Sequence, residues 1–549
     1  MGKLMLKAGD FYQAEELYNE LLENAPDDRD RAHIYHHLGL INGHQGEYQQ
    51  AVTCYEKSLE IGRKTLPEDD ASLAPTYSNI GGVYENIGEY SKALEYYEKS
   101  HKILEISLPP THPNLATSYA CIGLVYNNMG EYSKALEYYE KDLEITKKAL
   151  PPTHPDLATS YNNIGEVYSS MGEYSKALEY SEKSIKIQEI SLPPTHPSLA
   201  TSYNNLGGLY DNMGEYSKAL EYYEKSLKIN AKALPTTHID LGTSYNNIGG
   251  VYGNMGEHLK ALEYYEKDME IRKKALPPTH PSFATLYNNI GGVYDNMGEH
   301  SKALEYYENS IKIKEISLPV THPSLATSFN NIGGVYENMG EHRKALEYYE
   351  KSLKIKEISL PVTHPSLATS FNNIGGVYEN MGEHWKALEY YGKSLKIKEI
   401  SLAPTHAALA TSFNNIGLVY KNMGEHSKAL EYYEKSIKIK EISLPLAHPD
   451  LATFCSCIGG VYSKMGEYSK ALEYYEKSLK IREKSRPSTP PDLATLYNNV
   501  GQLYGKMEEY SKALPFLEEA LGIFGKSLPS THINIKIVMN AIDRVKEKL

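Results

Sequence analysis

The chain has 549 residues, of which 41% are hydrophobic and 23% are charged, and its formal net charge at pH 7 is −13. This excess of acidic residues argues against general affinity for nucleic acid or for anionic membrane surfaces, since both need a basic protein surface. No apolar run approaches the ~18 residues that a membrane span requires, so we expect no membrane insertion.

The first segment, residues 1–28, reads as a partial copy of a motif that fills the rest of the chain. Gly9-Asp-Phe-Tyr-Gln-Ala-Glu15 is a shorter, divergent version of that motif. Leu4, Leu6 and Phe11 are apolar and have little sequence in front of them to cover them. We therefore expect a missing preceding segment or an N-terminal partner, and the chain reads equally as the interaction part of a longer multidomain protein.

From residue 29 to residue 531 the sequence repeats with a period that is mostly 42 residues, and we count twelve tandem repeats. All but the last repeat are marked by a glycine followed by Glu and then Tyr or His, and in the last repeat Glu508 takes the place of the glycine. The marker glycines are Gly46, Gly88, Gly130, Gly172, Gly214, Gly256, Gly298, Gly340, Gly382, Gly424 and Gly466. A fixed period of this length is typical of solenoid proteins.

Each repeat predicts two helices, as residues 323–360 illustrate. Pro323 suits the first turn of a helix, apolar residues recur at three-to-four spacing as far as Tyr336, and Gly340 supplies a helix end. A second helix follows, and Pro361 ends it. Neither helix buries its apolar stripe alone, so we expect successive repeats to stack into one continuous core.

Residues 532–549 predict a final capping helix with one apolar face and one charged face, as a repeat array needs at its end. Taken together, the repeats predict an all-α fold, an α-solenoid of helix pairs.

Several positions of one repeat resemble the tetratricopeptide pattern, with Tyr in the place that often holds Trp. These positions are Tyr77, Ile80, Gly81, Tyr84, Gly88, Tyr90, Ala93 and Tyr97. The repeat has 42 residues instead of the usual 34. Through Leu150–Ala158 and Tyr161–Gly165 this longer form is similar to the repeats of kinesin light chains and nephrocystin-3. The resemblance implies a right-handed superhelix that binds protein segments along its concave groove, as a scaffold or adaptor.

In such a superhelix the first helix of each repeat lines the groove, and asparagines recur there in two ladders. The first ladder is Asn79, Asn163, Asn205, Asn247, Asn289, Asn331, Asn373, Asn415 and Asn499. The second ladder is Asn86, Asn128, Asn212, Asn254, Asn296, Asn338, Asn380 and Asn422. An amide both donates and accepts hydrogen bonds, so a row of amides suits the main chain of an extended peptide.

Charged residues add a preference along the same groove. Acidic residues such as Asp211 and Asp295 precede second-ladder positions in the middle of the array, whereas Lys421, Lys464 and Lys506 appear towards its end. We expect a partner segment to place basic residues mid-groove and acidic residues near that end.

Other functions stay open on the sequence. Residues 313–354 and 355–396 differ at only two positions, so duplication would copy an asparagine ladder whether or not it binds anything. A self-associating structural spacer is one alternative, and a kinesin-light-chain-like cargo adaptor is another, which rests on the resemblance.

The residues that could suggest chemistry favour structural roles. The His-Pro turns, for example at His154 and His322, lack a second ligand at zinc-type spacing, and we interpret them as helix-entry residues. No catalytic triad or paired carboxylate set is evident, so we expect no enzyme, no metal site and no cofactor. Four cysteines are too few for a disulfide framework, which favours a reducing, cytoplasmic compartment.

Overall fold

The computed structural model describes residues 11–443, 449–484, 490–527 and 532–549. The regular structure in these ranges consists of α-helices and one short 3₁₀ helix, Ala71–Leu73, with no strand. The prediction of an all-α fold built from helix pairs is therefore confirmed. Residues 1–10 of the predicted partial repeat, including Leu4 and Leu6, lie outside the described residues.

The chain divides into two compact units, Met1–Ser370 and Phe371–Leu549, and each is described by itself. The first unit holds α1 Phe11–Glu23, α2 Asp28–Gln45, α3 Tyr48–Thr65, α4 Ala74–Ile87, α5 Tyr90–Ser107, α6 Pro113–Asn128, α7 Tyr132–Ala149, α8 Pro155–Ser170, α9 Tyr174–Ser191, α10 Pro197–Asn212, α11 Tyr216–Ala233, α12 Ile239–Asn254, α13 His258–Ala275, α14 Pro281–Asn296, α15 His300–Ser317, α16 Pro323–Asn338 and α17 His342–Ser359. Helix α18, Pro365–Asn380, contains the division. The second unit continues with α19 His384–Ser401, α20 Ala407–Asn422, α21 His426–Ser443, α22 Pro449–Met465, α23 Tyr468–Lys484, α24 Pro490–Lys506, α25 Tyr510–Ser527 and α26 Ile533–Lys546.

The pair α16–α17 begins at Pro323, as predicted, and ends at Ser359, two residues before the predicted Pro361. We call the first helix of a pair A and the second B, joined by an A–B loop. In the pair α16–α17 the backbone N–H of Ser324 donates to Nδ1 of His322 at 3.0 Å, so this histidine caps the A helix. Pro323 follows in the first turn, and Gly340 ends the A helix with φ 75°. The interpretation of the His-Pro turns as helix-entry residues is confirmed at this pair.

The A and B helices of a pair approach closely because a glycine faces a tyrosine ring. A Cβ at Gly333 would lie 2.7 Å from the Tyr349 ring, well inside van der Waals contact. The hydroxyl of Tyr349 donates to Glu337 at 2.9 Å, so the ring is held in place. Ala345 and Ser352 on the B helix are fully buried beside this contact.

Neighbouring pairs share their apolar core, as predicted. One buried cluster joins Ala303, Tyr307 and Ile311 of α15 to Ile332 and Val335 of α16. The B helix of one repeat therefore packs on the A helix of the next, and the same arrangement recurs along each unit.

Within the first unit, segments that are 236 residues apart in sequence also touch. Nε2 of His322 lies 3.0 Å from the backbone oxygen of Asn86. The ring of Pro323 packs on Gly88, where a Cβ would lie 2.7 Å from the proline Cδ. With 42 residues to a repeat, the first unit thus returns on itself after about 5.6 repeats.

Three contacts of this kind are seen in the described part of the first unit, and we call them inter-turn contacts because each joins residues 236 apart, where the array returns on itself. Each places a His-Pro turn on the A–B loop of an earlier repeat. Besides His322, Nε2 of His280 lies 3.1 Å from the backbone oxygen of His44, and Nε2 of His364 lies 3.1 Å from that of Asn128. Since Nδ1 already accepts the capping N–H, the geometry requires a neutral ring that carries its proton on Nε2 and donates to the carbonyl.

We predict that Gly333→Ala lowers the free energy of unfolding by about 1–3 kcal/mol, because the added methyl overlaps a ring that is held by its hydroxyl bond. The matched control is Gly392→Ala on helix α19, where a Cβ meets no described atom within 4 Å. That change should raise stability by about 0.5–1 kcal/mol, since alanine favours a helix over glycine. Urea-denaturation midpoints measure both effects, and equal shifts in the two variants would contradict the packing account.

We also predict that the inter-turn contacts weaken at acidic pH. Burial, together with the charges of Arg272 and His44, lowers the pKa of His280 to about 4 against the opposing effect of the backbone bond to His44. Burial likewise lowers the pKa of His322 and His364. The unfolded chain therefore binds more protons between about pH 6.5 and the folded pKa, and stability falls as the pH falls through that window.

The measurement is thermal unfolding at pH 7 and pH 5. A triple change of His280, His322 and His364 to Asn keeps a capping side chain but removes the titration, so this variant should lose less stability on acidification than the wild type does. The single variant His154→Asn caps a helix without an inter-turn contact in the described structure and serves as the control. An identical pH dependence of the triple variant and the wild type would refute the prediction.

Candidate functional site

A polar cavity of about 390 Å³ opens on the A helices of the first unit. It is lined by Asp211, Tyr223, Asn246, Asn247, Gly250, Gly253, Asn254, Tyr265, Asn288, Asn289, Gly292, Val293, Asn296, Tyr307 and Asn331. The lining consists mainly of amides, glycines and tyrosine side chains. Ladder asparagines from three consecutive A helices therefore meet around one space.

The helical repeat explains why these residues share a face. Asn247 and Asn254 are seven residues apart on α12, which places them two turns apart on one side of the helix. Gly250 lies between them and leaves the helix surface open there. A Cβ at Gly250 would lie 3.7 Å from the hydroxyl of Tyr265, so this B-helix tyrosine reaches the floor of the cavity beneath the glycine.

Several first-ladder asparagines tie their A helix to the preceding one. Nδ2 of Asn247 donates to Oδ1 of Asn204 at 2.8 Å, and Nδ2 of Asn289 donates to Oδ1 of Asn246 at 3.0 Å. At the start of the array Nδ2 of Asn79 lies 3.3 Å from Nε2 of His36. An asparagine amide has two donors and a carbonyl acceptor, so one such bond leaves capacity for a ligand.

Several second-ladder asparagines instead bond to a carboxylate of the preceding repeat. Nδ2 of Asn254 donates to Asp211 at 3.0 Å, and Nδ2 of Asn338 donates to Asp295 at 3.1 Å. Asn128 makes the corresponding bond to Glu85 at 2.8 Å. Both ladders thus have a structural role between repeats that the sequence analysis did not predict.

The acidic side chains of the groove are held in hydrogen bonds. Asp295 accepts from Nδ1 of His300 at 3.0 Å as well as from Asn338. Burial raises the pKa of Glu85, although the bonds from Tyr97 and Asn128 oppose that rise. Burial also raises the pKa of Glu166. These carboxylates are therefore buried or hydrogen-bonded within the groove wall. Asp211 is the carboxylate that lines the cavity.

All the predicted ladder asparagines lie on A helices, but the cavity brings together only some of them. Those that line it are Asn247, Asn254, Asn289, Asn296 and Asn331. Asn79, Asn86, Asn128, Asn163, Asn205, Asn212 and Asn338 lie elsewhere on A helices of the first unit.

The remaining predicted residues lie beyond the division of the chain, in the second unit: Asn373, Asn380, Asn415, Asn422, Asn499, Lys421, Lys464 and Lys506. There Asn415 donates to Oδ1 of Asn372 at 3.1 Å, which repeats the first-ladder bond. Nζ of Lys506 donates to Ser463 at 3.2 Å, and the charge of Lys421 counters the burial that raises the pKa of Cys457. These lysines do not line the cavity of the first unit.

Sequence reasoning missed two kinds of cavity residue. Asn246, the residue before first-ladder Asn247, accepts the inter-repeat bond from Asn289 and also lines the cavity. The sequence analysis placed no tyrosine in the groove, yet Tyr265 packs its ring on Gly249 and brings its hydroxyl to the cavity. The glycine that follows Gly249 was a usable signal, because it leaves a notch above that hydroxyl.

The described ranges contain no group of three or more His, Cys, Asp or Glu residues that could hold a metal ion. All four cysteines are free thiols. Among the same residues, no helix has both the length and the apolar character to cross a membrane.

The repeats of this chain match known protein families in sequence. A family model described as "Tetratricopeptide repeat" matches residues 1–64, 30–106, 72–148, 114–190, 240–316, 366–442 and 450–526. A second model of that description matches residues 200–232 and 326–357. No curated protein matches the sequence.

Solved structures with similar helix arrangements include three proteins. A putative kinesin light chain from Podosopora anserina with nearly identical TPR-like repeats is 27% identical, with 37% of this chain and 96% of that chain covered and a TM-score of 0.31. BtubC (BKLC) from P. vanneervenii is 22% identical, with 41% and 91% covered and a TM-score of 0.35. The Cut9–Hcn1 hetero-tetramer of the APC/C is 14% identical, with 99% and 95% covered and a TM-score of 0.47.

The family models cover most of the sequence, and the structure supplies the helix pairs that they describe. This chain therefore belongs to the tetratricopeptide repeat family.

Proposed function

We propose that this chain is a protein-interaction scaffold that holds an extended segment of a partner protein against the A helices of the first unit. The observation that carries the proposal is the open cavity in which amides of three consecutive A helices meet. Asn247, Asn289 and Asn331 occupy equivalent positions on those helices, so they present the same group at a regular interval.

That interval matches an extended backbone. Packed helices lie about 10 Å apart, and an extended chain advances about 3.3 Å per residue. Every third residue of a bound segment would therefore meet an equivalent amide. Because an amide can donate to a peptide carbonyl and accept from a peptide N–H, this recognition uses the main chain and tolerates many sequences.

The glycines and the carboxylate of the cavity determine which partner segments the site prefers. Gly250 and Gly292 leave room above the hydroxyls of Tyr265 and Tyr307, which can bond to polar groups of a ligand. Asp211 places negative charge on the cavity wall. A partner segment with a basic side chain at this point fits the site best.

A kinesin-light-chain-like cargo adaptor remains a second candidate, favoured by the 42-residue repeat and its resemblance to that subfamily. Co-purification of the chain with a motor heavy chain would support this candidate, whereas binding of cargo-type peptides without any heavy chain would favour a free-standing scaffold.

We predict that the double variant Asn289→Ala, Asn331→Ala binds its peptides about 5- to 150-fold more weakly, since each of the two lost hydrogen bonds contributes about 0.5–1.5 kcal/mol. Peptides are first selected on the wild-type chain from a displayed random library, and their affinities are then measured by titration calorimetry. Asn309→Ala on the B helix α15 is the matched control and should leave affinity unchanged.

Main-chain recognition has a separate signature in the same assay. N-methylation of the peptide backbone at every third residue should weaken binding more than alanine substitution of the same residues does. Circular dichroism should show equal helix content in all variants. Unchanged affinity of the selected peptides for the double variant would exclude the groove as their binding site.

A further inference from the structure

A second cavity of the first unit, with a volume of about 420 Å³, is lined by residues of α7, α8 and α9 and of the loop after α7. It shares no lining residue with the asparagine-lined cavity of the groove. Aliphatic side chains, among them Leu150, Leu157, Ile187 and Ile190, make up much of its wall. Ile190 is 66% exposed, so an apolar surface is open there to an incoming side chain.

Three lysines line the same cavity: Lys147 near the end of α7, and Lys183 and Lys186 on α9. Nζ of Lys147 lies 5.4 Å from the centre of the Tyr161 ring, and Nζ of Lys183 lies 5.9 Å from it. Lys183 donates to Glu179 at 2.6 Å, whereas among the described residues neither Lys147 nor Lys186 forms an ion pair. The cavity therefore carries two ammonium groups without a paired carboxylate.

The following repeat carries the opposite charge at the position of Lys147, where Glu189 stands 42 residues further along. There the hydroxyl of Tyr203 donates to Glu189 at 2.8 Å, and Nζ of Lys225 lies 5.9 Å from the centre of the same ring. At Tyr161 the corresponding carboxylate is replaced by a second ammonium group. A carboxylate from a ligand can therefore take the place that Glu189 occupies in its own repeat.

Two other repeats have a basic residue at the position of this lysine, Arg63 and Lys273, but neither completes the same cluster. The cavity beside Arg63 is also lined by Glu56 and Glu60, which supply carboxylates of the chain itself. In the repeat after Lys273, Asn309 stands where one of the three lysines would be. The uncompensated positive charge is therefore concentrated at the second cavity.

We propose that this second cavity binds an acidic segment of a partner protein, which inserts one large aliphatic side chain against Leu150, Leu157 and Ile190 and places carboxylates beside Lys147 and Lys186. The site goes beyond the function proposed above, because it lies on other residues and takes a segment of the opposite charge. A scaffold with both sites can hold a basic segment and an acidic segment at once.

The arrangement of the lysines favours a segment of a protein over a small amphiphile such as a fatty acid. Lys147 and Lys186 belong to helices of different repeats, so a ligand must bring a carboxylate to each. A segment with two or more acidic residues beside an aliphatic residue can do this, whereas a fatty acid has a single carboxylate. The chain has a net charge of −13, so its remaining surface repels such a segment and the local cluster determines where it binds.

The test begins with displayed seven-residue peptides that have a central leucine and random flanking residues. The library first passes over the immobilised variant Lys147→Glu, which keeps the groove and removes peptides that bind there or elsewhere. The remaining peptides are selected on the wild-type chain at low ionic strength, since salt screens exposed charges. The enriched peptides should carry at least two acidic residues beside the leucine.

Fluorescence anisotropy then measures the affinities of the selected peptides. Lys147→Glu should weaken binding about 2- to 30-fold, since it replaces one exposed charge attraction by a repulsion of similar size. Glutamate stands at this position in other repeats, as at Glu189 and Glu315, so the fold accepts it. The matched control Lys148→Glu makes the same charge change at the next residue, which does not line the cavity, and should leave affinity unchanged.

Two further variants separate this site from the groove. Ile190→Ser removes part of the aliphatic wall and should weaken binding about 5- to 30-fold. The groove variant Asn289→Ala, Asn331→Ala should bind the acidic peptides as the wild type does. Failure of the second cavity and failure of the groove therefore give different results.

A gain of binding provides the sharpest arm of the test. Glu315→Lys reproduces the cluster four repeats further along, where Lys351, Lys354 and Ile358 hold the equivalent positions. This variant should bind two acidic peptides per chain in titration calorimetry, where the wild type binds one. The second site should be the weaker one, because Phe329 stands in place of the tyrosine and has no hydroxyl.

The proposal is overturned if no peptide is selected, if the selected peptides are not acidic, or if they bind Lys147→Glu as tightly as the wild type. An unchanged stoichiometry in Glu315→Lys would also overturn it, since the lysine cluster would then not create the site. Laurate is the probe for a small amphiphile. If laurate binds the wild type but not Lys147→Glu, and no acidic peptide binds, the cavity is a fatty-acid site and the proposal is wrong.

Discussion

The contact between an A-helix glycine and a B-helix tyrosine is the constraint on which the other features depend. At Gly333 and Gly249 the missing side chain lets a ring lie against the helix backbone, which fixes the distance between the two helices of a pair. That distance sets where the tyrosine hydroxyl emerges. In the middle of the first unit it emerges at the floor of the groove, so the packing of the core and the chemistry of the cavity follow from the same residue.

The groove asparagines combine cohesion with recognition. Asn289 bonds to Asn246 of the preceding repeat and also lines the cavity, so one amide both aligns neighbouring A helices and faces a ligand. A row of such bonds keeps the amides at equal intervals before any partner arrives. Binding then requires little reordering of the protein, and a preorganised site loses less entropy on association than a flexible one.

Features that depend on local sequence could be predicted, whereas features that depend on geometry summed over several repeats could not. Pro323 and Gly340 mark helix ends through their own backbone preferences, and the 42-residue period follows from self-similarity. The contact between His322 and Asn86 depends on small rotations summed over several repeats, which no local pattern reports. The cavity was equally hidden, because the ladders recur in almost every repeat, while Asp211 and Gly253, which line it, occupy a column that varies from repeat to repeat.

The return of the first unit on itself also affects how stability depends on the number of repeats. In most repeat proteins each added repeat contributes a fixed increment, since it meets only its neighbours. Here the bond from His280 to the backbone of His44 needs an array long enough to bridge 236 residues, and every further repeat can add another bond of this kind. Arrays shorter than about six repeats lack this second class of contact. Cooperativity should therefore increase abruptly with array length, which gives long arrays an advantage whenever duplication lengthens them.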